Sequence, residues 1–500
     1  MKRFLRLLAY SVIGILLFSL YGFAKESTLI IAQQTDAKSL DPQKSNDVYS
    51  HNLNLNIYDR LFDWTPDMKL ENNLAESYSQ IDPLTLQVKI KEGVKFHNGD
   101  ELTSEDIKFS IERGATAPSV MTYFADIDRV DIVDKYTVKI VTKKPYGPLM
   151  NALAHTGGSI MNKKYVEETK DEGFLKPIGS GPFKLDSWRS GDRITLKANK
   201  DYFRGAPASD TVIFRVIPEG VNRAIALETK EVDMVLVIDP VDVDTVRDNS
   251  EIVIHQMPST SMTYMGFNCD KEPFKNSKVR EAISLGVNLS DIVDTAFLKA
   301  AVPAPSVIPA GVVGFNKNLK APVRDVEKAK ALLAEAGYKD GLKLKLWLNE
   351  NKSREDSAVI MQAQLKDIGV DITIEKLEWG AYLDKLAKGE HQMFILGWST
   401  SPDPDSAMYA LFHSKNKGNA GNRSFYGNTR VDELLDKGRE TTDINERIPM
   451  YEEAQEIITR EVGVLALVNP FNTVGVQKYV EGFVMNPQST YLIRTVKANK

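Results

Sequence analysis

The chain has 500 residues, 42% of them hydrophobic and 26% charged, with a formal charge of -5. That length exceeds what one hydrophobic core usually serves, so two or three compact units are expected. The mild acidity gives no basic field for nucleic acid, and no block of like charges suggests a solvated tail, which excludes nucleic acid as a partner.

The chain begins MKRFLRLLAYSVIGILLFSLYGFA, with cations at Lys2, Arg3 and Arg6, an apolar stretch from Leu7 to about Tyr21, and small residues at Gly22 and Ala24. This reads as a secretory signal, residues 1–24, cleaved after Ala24. The apolar stretch is short for a membrane span, although a retained anchor is the alternative and would still place the body outside the cytoplasm. No cysteine stands at the cleavage point, so lipid attachment is not expected. Cys269 is the only cysteine and excludes an intramolecular disulfide.

Residues 84–114 start with alternation at Leu84, Leu86, Val88 and Ile90 and turn at Asn98-Gly99. A Ser104 cap and helical positions Ile107 and Phe109 to Ile111 follow, so the stretch reads strand, turn, helix. Residues 130–142 read as a hairpin around Asp134-Lys135, and 211–237 as strand, helix, strand. The segment 325–398 is the most regular. Asp325 caps a helix with Val326, Ala329, Leu333 and Ala336 on one face, and Gly337 stops it. LKLKLWL is a strand, Ala358, Met361, Leu365 and Ile368 mark a helix from 357, and VDITIEKL is a strand. GAYLDKLAKGE is a helix and MFILGW an apolar strand. Strands alternating with helices predict a parallel sheet covered on both faces, with ligands beyond the carboxyl ends of its strands. The loop after Trp398, STSPDPD, leaves from such an end. A tryptophan with small polar neighbours suits a binding crevice, or equally a core tryptophan beside a surface loop.

Six stretches then carry a resemblance. LAESYSQIDPLTLQVKIKEGVKFHNGDELTSEDIKFSIER (74–113), PIGSGPFKLDSW (177–188), NRAIALETKEVD (222–233), FNCDKEPFKNSKVREAISLGVN (267–288), DVEKAKALLAEAGY (325–338) and GWSTSPDPD (397–405) are similar, in this order, to hallmarks of the family 5 extracellular solute-binding proteins. These are the periplasmic dipeptide, oligopeptide, glutathione and nickel receptors of ABC importers. The resemblance implies an α/β, two-lobed periplasmic-binding-protein fold (type II, cluster C). Lobe 1 would span about 25–268, with an extra subdomain at about 72–188, and be rejoined by 480–500; lobe 2 would span 269–479. Hinge crossings are expected near Asn268 to Asp270 and near Tyr479. The expected function is capture of a small peptide between the lobes and delivery to the importer's inner-membrane permease subunits, by a monomer without cofactor or metal.

Dipeptide and oligopeptide receptors of the family place an aspartate three residues after this tryptophan, for the peptide's free amine; here that position is Ser401. GWS with LFHSKNKGNAGNRSFYGN (411–428) and LAHTGGSIMNKKYVEETKDEGFLKPIGSGPF (153–183) instead resemble the glutathione-receptor branch. Glutathione carries two carboxylates and one ammonium, so its site needs guanidinium, which binds carboxylate bidentately. Arg354, before the helix at 357, falls close to where the dipeptide receptors hold an arginine; Arg423 is a second candidate. Asp403 or Asp405 would answer the ammonium, the other being a turn or helix cap beside Pro404. Trp398, Ser399 and Asn422 complete the set on this side, with Tyr264 and Asn268 before the hinge and Asn46 and Asp47 from lobe 1.

No HExxH, GxSxG or P-loop occurs, GSGPFK lacks the third glycine of a dinucleotide fingerprint, and the six histidines are scattered. A cell-wall hydrolase is the rival class, and a plain di- or oligopeptide receptor or a nickel-chelate receptor the rival ligand readings.

Overall fold

The computed structural model describes residues 26–500 apart from 46, 419 and 420, so the signal segment expected at 1–24 and the candidate Asn46 lie outside the described residues. Strand β1 (Thr28–Gln33) is followed by helix α1 (Val48–Ile57), capped by Asp47, whose carboxylate accepts from the Ser50 N–H at 2.9 Å. A four-stranded antiparallel sheet comes next: β2 (Ala75–Asp82), β3 (Thr85–Ile90), β4 (Ile127–Asp134) and β5 (Thr137–Thr142), in the order β2-β3-β5-β4. The alternation in β3 buries Leu86, Val88 and Ile90 under helix α2 (Ser104–Gly114). The cap of α2 is Thr103 rather than the expected Ser104, because Asp106 reaches back to the Thr103 N–H at 2.9 Å. Helix α3 (Leu149–Ala154) closes this region, whose core runs from Leu61 to Ile160.

The chain then lays down β6 (Phe183–Arg189), β7 (Arg193–Ala198), β8 (Thr211–Val216), α4 (Gly220–Glu228), β9 (Met234–Val235), β10 (Ile252–Pro258) and β11 (Ser261–Phe267). After α5 (Val326–Glu335) come β12 (Leu342–Asn349), α6 (Lys352–Leu365), β13 (Val370–Leu377), α7 (Trp379–Ala387), β14 (Met393–Ser399), α8 (Pro404–Phe412), α9 (Thr429–Glu440), α10 (Ile444–Glu461) and β15 (Val464–Gln477). The principal sheet has the order β13-β12-β14-β11-β15-β9-β1-β8-β7-β6. Its expected parallel character holds for β12 with β13 and β14, and for β1 with β8 and β9. The junctions β14-β11 and β11-β15 are antiparallel, so the sheet is mixed.

Period-two alternation in β11 and β14 builds two cores at once: Met265, Phe267, Met393 and Ile395 join one, Met262, Tyr264, Phe394 and Leu396 the other. A fourth core joins Leu29 and Ile31 of β1 to the tail residues Tyr491, Ile493 and Val496. The chain passes between the two halves of the sheet at 259–260 and again inside β15, whose Val464–Val468 end pairs with β11 and whose Phe471–Gln477 end pairs with β10. The crossings expected at 268–270 and 479 lie further along the chain than these two passages.

Candidate functional site

Where these passages run, a cavity of about 650 Å³ opens. One wall comes from the start of α1 (Asp47, His51), from Arg60 and Asp63, and from Asn151 and His155 at α3. The facing wall comes from Thr260, Ser261 and Ser399 to Ser401, and the tail between Gly482 and Thr495 closes the rest. The volume falls within the roughly 300–1,000 Å³ of small-molecule sites.

On the first wall the guanidinium of Arg60 is buried and pairs through Nη2 with Asp63, while its Nε and Nη1 have no partner. Asn151 Oδ1 and His51 Nε2 are likewise buried without a partner. The His155 ring stacks on Tyr123 at 4.1 Å and meets His51 edge-on at 5.3 Å. Burial holds the His51 ring down to about 4 and His155 well below its ordinary value, so both are neutral at neutral pH.

The second wall holds Ser399, whose hydroxyl lies 2.8 Å from that of Ser261, and Ser401, whose hydroxyl donates to Ser406 Oγ at 2.7 Å. Trp398 is partly buried and donates to the Ser406 carbonyl at 3.1 Å. Helix α6 starts at Lys352, ahead of the expected 357, because Asn351 caps it by accepting from the Arg354 N–H. Arg354 is therefore in a first helical turn, not between strand and helix. Its Nη1 donates to Asn349 Oδ1 at 2.5 Å, and a Cβ placed on Gly397 would lie 2.7 Å from its Nη2. Alternation puts Gly397 and Ser399 on one face, so this guanidinium lies over the face of β14 that carries the cavity residue Ser399. Burial raises the Tyr264 phenol to about 12, opposed by Arg423 and then Arg354, and the same two guanidiniums oppose the rise at Tyr382. Both arginines named from the sequence thus act electrostatically on the same two tyrosines. Arg423 keeps a buried Nε without a partner.

Arg354, Arg423, Trp398 and Tyr264 are not among the residues lining the cavity, and four further candidates are placed elsewhere. Asp403 caps α8 through the Asp405 N–H and receives both terminal nitrogens of Arg447, at 2.8 and 2.9 Å. Asp405 is buried against Arg439 and Tyr451. Neither aspartate faces the cavity, which corrects the expected amine anchor: helix capping and a buried ion pair occupy the pair instead. Asn268 is buried and its amide donates to the Gly389 and His391 carbonyls. Asn422 is buried and organises its own loop through the His413 and Tyr426 carbonyls. Conversely, sequence reasoning missed Arg60, His51 and Asn151. The available signal was Arg60 itself, a cation inside the apolar stretch NIYDRLFDW.

The four-stranded region also touches the far half directly. The Gly147 N–H donates to the Arg439 carbonyl at 2.7 Å, and Lys144 pairs with Glu440 at 3.2 Å.

With this geometry in hand, comparison with known proteins is informative. Residues 69–419 match the family described as bacterial extracellular solute-binding proteins, family 5 Middle. The glutathione-binding protein GsiB of Escherichia coli O1:K1 / APEC is 30% identical over 498 residues, 97% of each chain. Among solved structures, the ABC transporter-associated periplasmic binding protein DppA from Helicobacter pylori, in complex with peptide STSA, is 29% identical at a TM-score of 0.80, covering 95% of this chain and 99% of that one. HbpA2 from Haemophilus parasuis is 27% identical at a TM-score of 0.86, covering 95% and 100%.

Proposed function

The chain belongs to the bacterial extracellular solute-binding proteins of family 5, and we propose that it is the periplasmic receptor of an ABC importer for glutathione or a similar short peptide. The observation that supports the ligand class is that the guanidiniums of Arg354 and Arg423 both act on Tyr264 and Tyr382, with Arg354 held against Gly397, two residues before the cavity residue Ser399. Glutathione brings two carboxylates to that pair. Its ammonium falls to Asp47, a carboxylate that lines the cavity while capping α1. The name of the GsiB relative supports the same ligand.

In this reading the lobes meet at the passages 259–260 and within β15, the first lobe carries the region around β2 to β5 as its subdomain, and the bridge from Gly147 to Arg439 forms on closure. The segment 1–24 directs export and is removed. The monomer releases its ligand unchanged to the permease subunits. The peptide held by the Helicobacter pylori DppA favours one second reading, a general dipeptide receptor. Calorimetric titration with glutathione, Ala-Ala and nickel-histidine separates these: glutathione is expected to bind tightest, with a stoichiometry of one and no turnover. Tighter binding of Ala-Ala would return the chain to the dipeptide receptors, and preference for nickel-histidine would make it a metal-chelate receptor.

A further inference from the structure

We infer that the first wall of the cavity carries a subsite for a neutral amide group of the ligand, whose carbonyl oxygen accepts from Arg60 and whose N–H donates to Asn151 Oδ1. The inference rests on the receptor reading for the source of the amide, and on the free cavity wall for its chemistry. Buried polar groups are almost always paired, so an unpartnered donor set and an unpartnered amide oxygen on one cavity wall need an occupant.

Charge selects what that occupant is. Asp63 accepts one N–H of Arg60 Nη2, and the Nε and Nη1 donors stay without a partner. Asp63 already balances Arg60, and Arg204, which pairs with Asp63 at 3.4 Å, is balanced by Glu71 at 3.1 Å. The wall therefore has no uncompensated cation to attract an anion, and a neutral carbonyl oxygen suits its donors.

An acceptor answers the other end of the group. Asn151 Oδ1 is an amide oxygen, which accepts, and it awaits an N–H; His51 Nε2 on the same wall is buried without a partner as well. One donor side and one acceptor side describe a peptide or carboxamide group.

The test compares glutathione and Ala-Ala with analogues in which an ester oxygen replaces one amide N–H, titrated into the wild type, Asn151→Leu and Arg60→Lys. The wild type should prefer the amide at one position by about tenfold, the effect of a buried acceptor losing its donor. Asn151→Leu should erase that preference, and Arg60→Lys should weaken amide and ester alike. An unchanged preference in Asn151→Leu, or none in the wild type, overturns the subsite while leaving the receptor reading intact. If neither peptide binds, the receptor reading falls, and crystals soaked in N-methylacetamide decide the subsite alone. An amide seated between Arg60 and Asn151 sustains it, and water alone there overturns it.

Discussion

Two buried arginine-aspartate pairs in this chain look alike in composition and differ in what they leave open. Arg447 gives both terminal nitrogens to Asp403 and its Nε to the Gly438 carbonyl at 2.8 Å, so the guanidinium is saturated by the protein. Arg60 gives one nitrogen to Asp63 and keeps two buried ones without partners beside the cavity. A pair closed on itself has no donor left for a ligand, whereas a half-open pair on a cavity wall keeps donors to offer one. The acidic loop STSPDPD, which looks like a ligand anchor in the sequence, is of the first kind.

The strongest way to break this comparison is to remove Asp403. Asp403→Ala leaves a guanidinium buried without its counter-charge, which typically costs about 3 to 5 kcal/mol. The urea midpoint should fall accordingly, while the affinity of the remaining folded molecules for glutathione stays at the wild-type value. Lost affinity at unchanged stability would put Asp403 in the site after all.

Its neighbour sharpens the point through pH. Burial pushes the Asp405 carboxyl up to about 6, with Arg439 pulling the other way and Asp403 adding to the rise. An ordinary carboxyl titrates near 3.9, so the folded state holds this proton more firmly than the unfolded one between about 4 and 6. Stability from this group is therefore highest below about 4, declines as pH rises through 6, and is constant above. Two pH units correspond to on the order of 3 kcal/mol. In chemical denaturation across pH, the difference between wild type and Asp405→Asn should trace that window; a pH-independent difference would mean the group is not buried as described.

Arg354 and Arg423 test the binding side. Removing the partner of a desolvated carboxylate costs at least about 2 kcal/mol, so Arg354→Ala should weaken glutathione binding well over tenfold with little change in the urea midpoint. Arg423→Ala should do the same for glutathione and be nearly neutral for Ala-Ala, which has one carboxylate. Equal losses for both peptides in Arg423→Ala would remove it from carboxylate recognition.

Much of the scaffold was legible because hydrophobic period and caps are local. Leu86, Val88 and Ile90, or Ala329 and Leu333 behind the Asp325 cap, are fixed by residues within a few positions of one another. Local chemistry and tertiary placement coincide at Ser399 and Ser401, which line the cavity. Asp403 was misread because its partner lies on α10, 44 positions away, and Arg60 was missed because its openness depends on α3 and a cavity no local pattern reports. Sequence spacing gives residue types, and only the fold says which of their hydrogen bonds remain open.

Gly397 gives the smallest and most selective test of the second wall. It occupies β14, a position any residue can adopt, and the nearest obstacle to a side chain there is the Arg354 guanidinium, 2.7 Å from an added Cβ, followed by the Met262 carbonyl at 3.7 Å. The first is the far end of a flexible side chain, so Gly397→Ala should fold with a wild-type urea midpoint while displacing the guanidinium. Because only one charged hydrogen-bonding partner moves, the expected loss of glutathione affinity is about tenfold, less than in Arg354→Ala. The two changes act on the same group and cannot add: in an Arg354→Ala background the methyl should cost nothing further. Additive losses would mean that Gly397 matters through the backbone or Trp398, and would detach Arg354 from the wall that it is argued to extend.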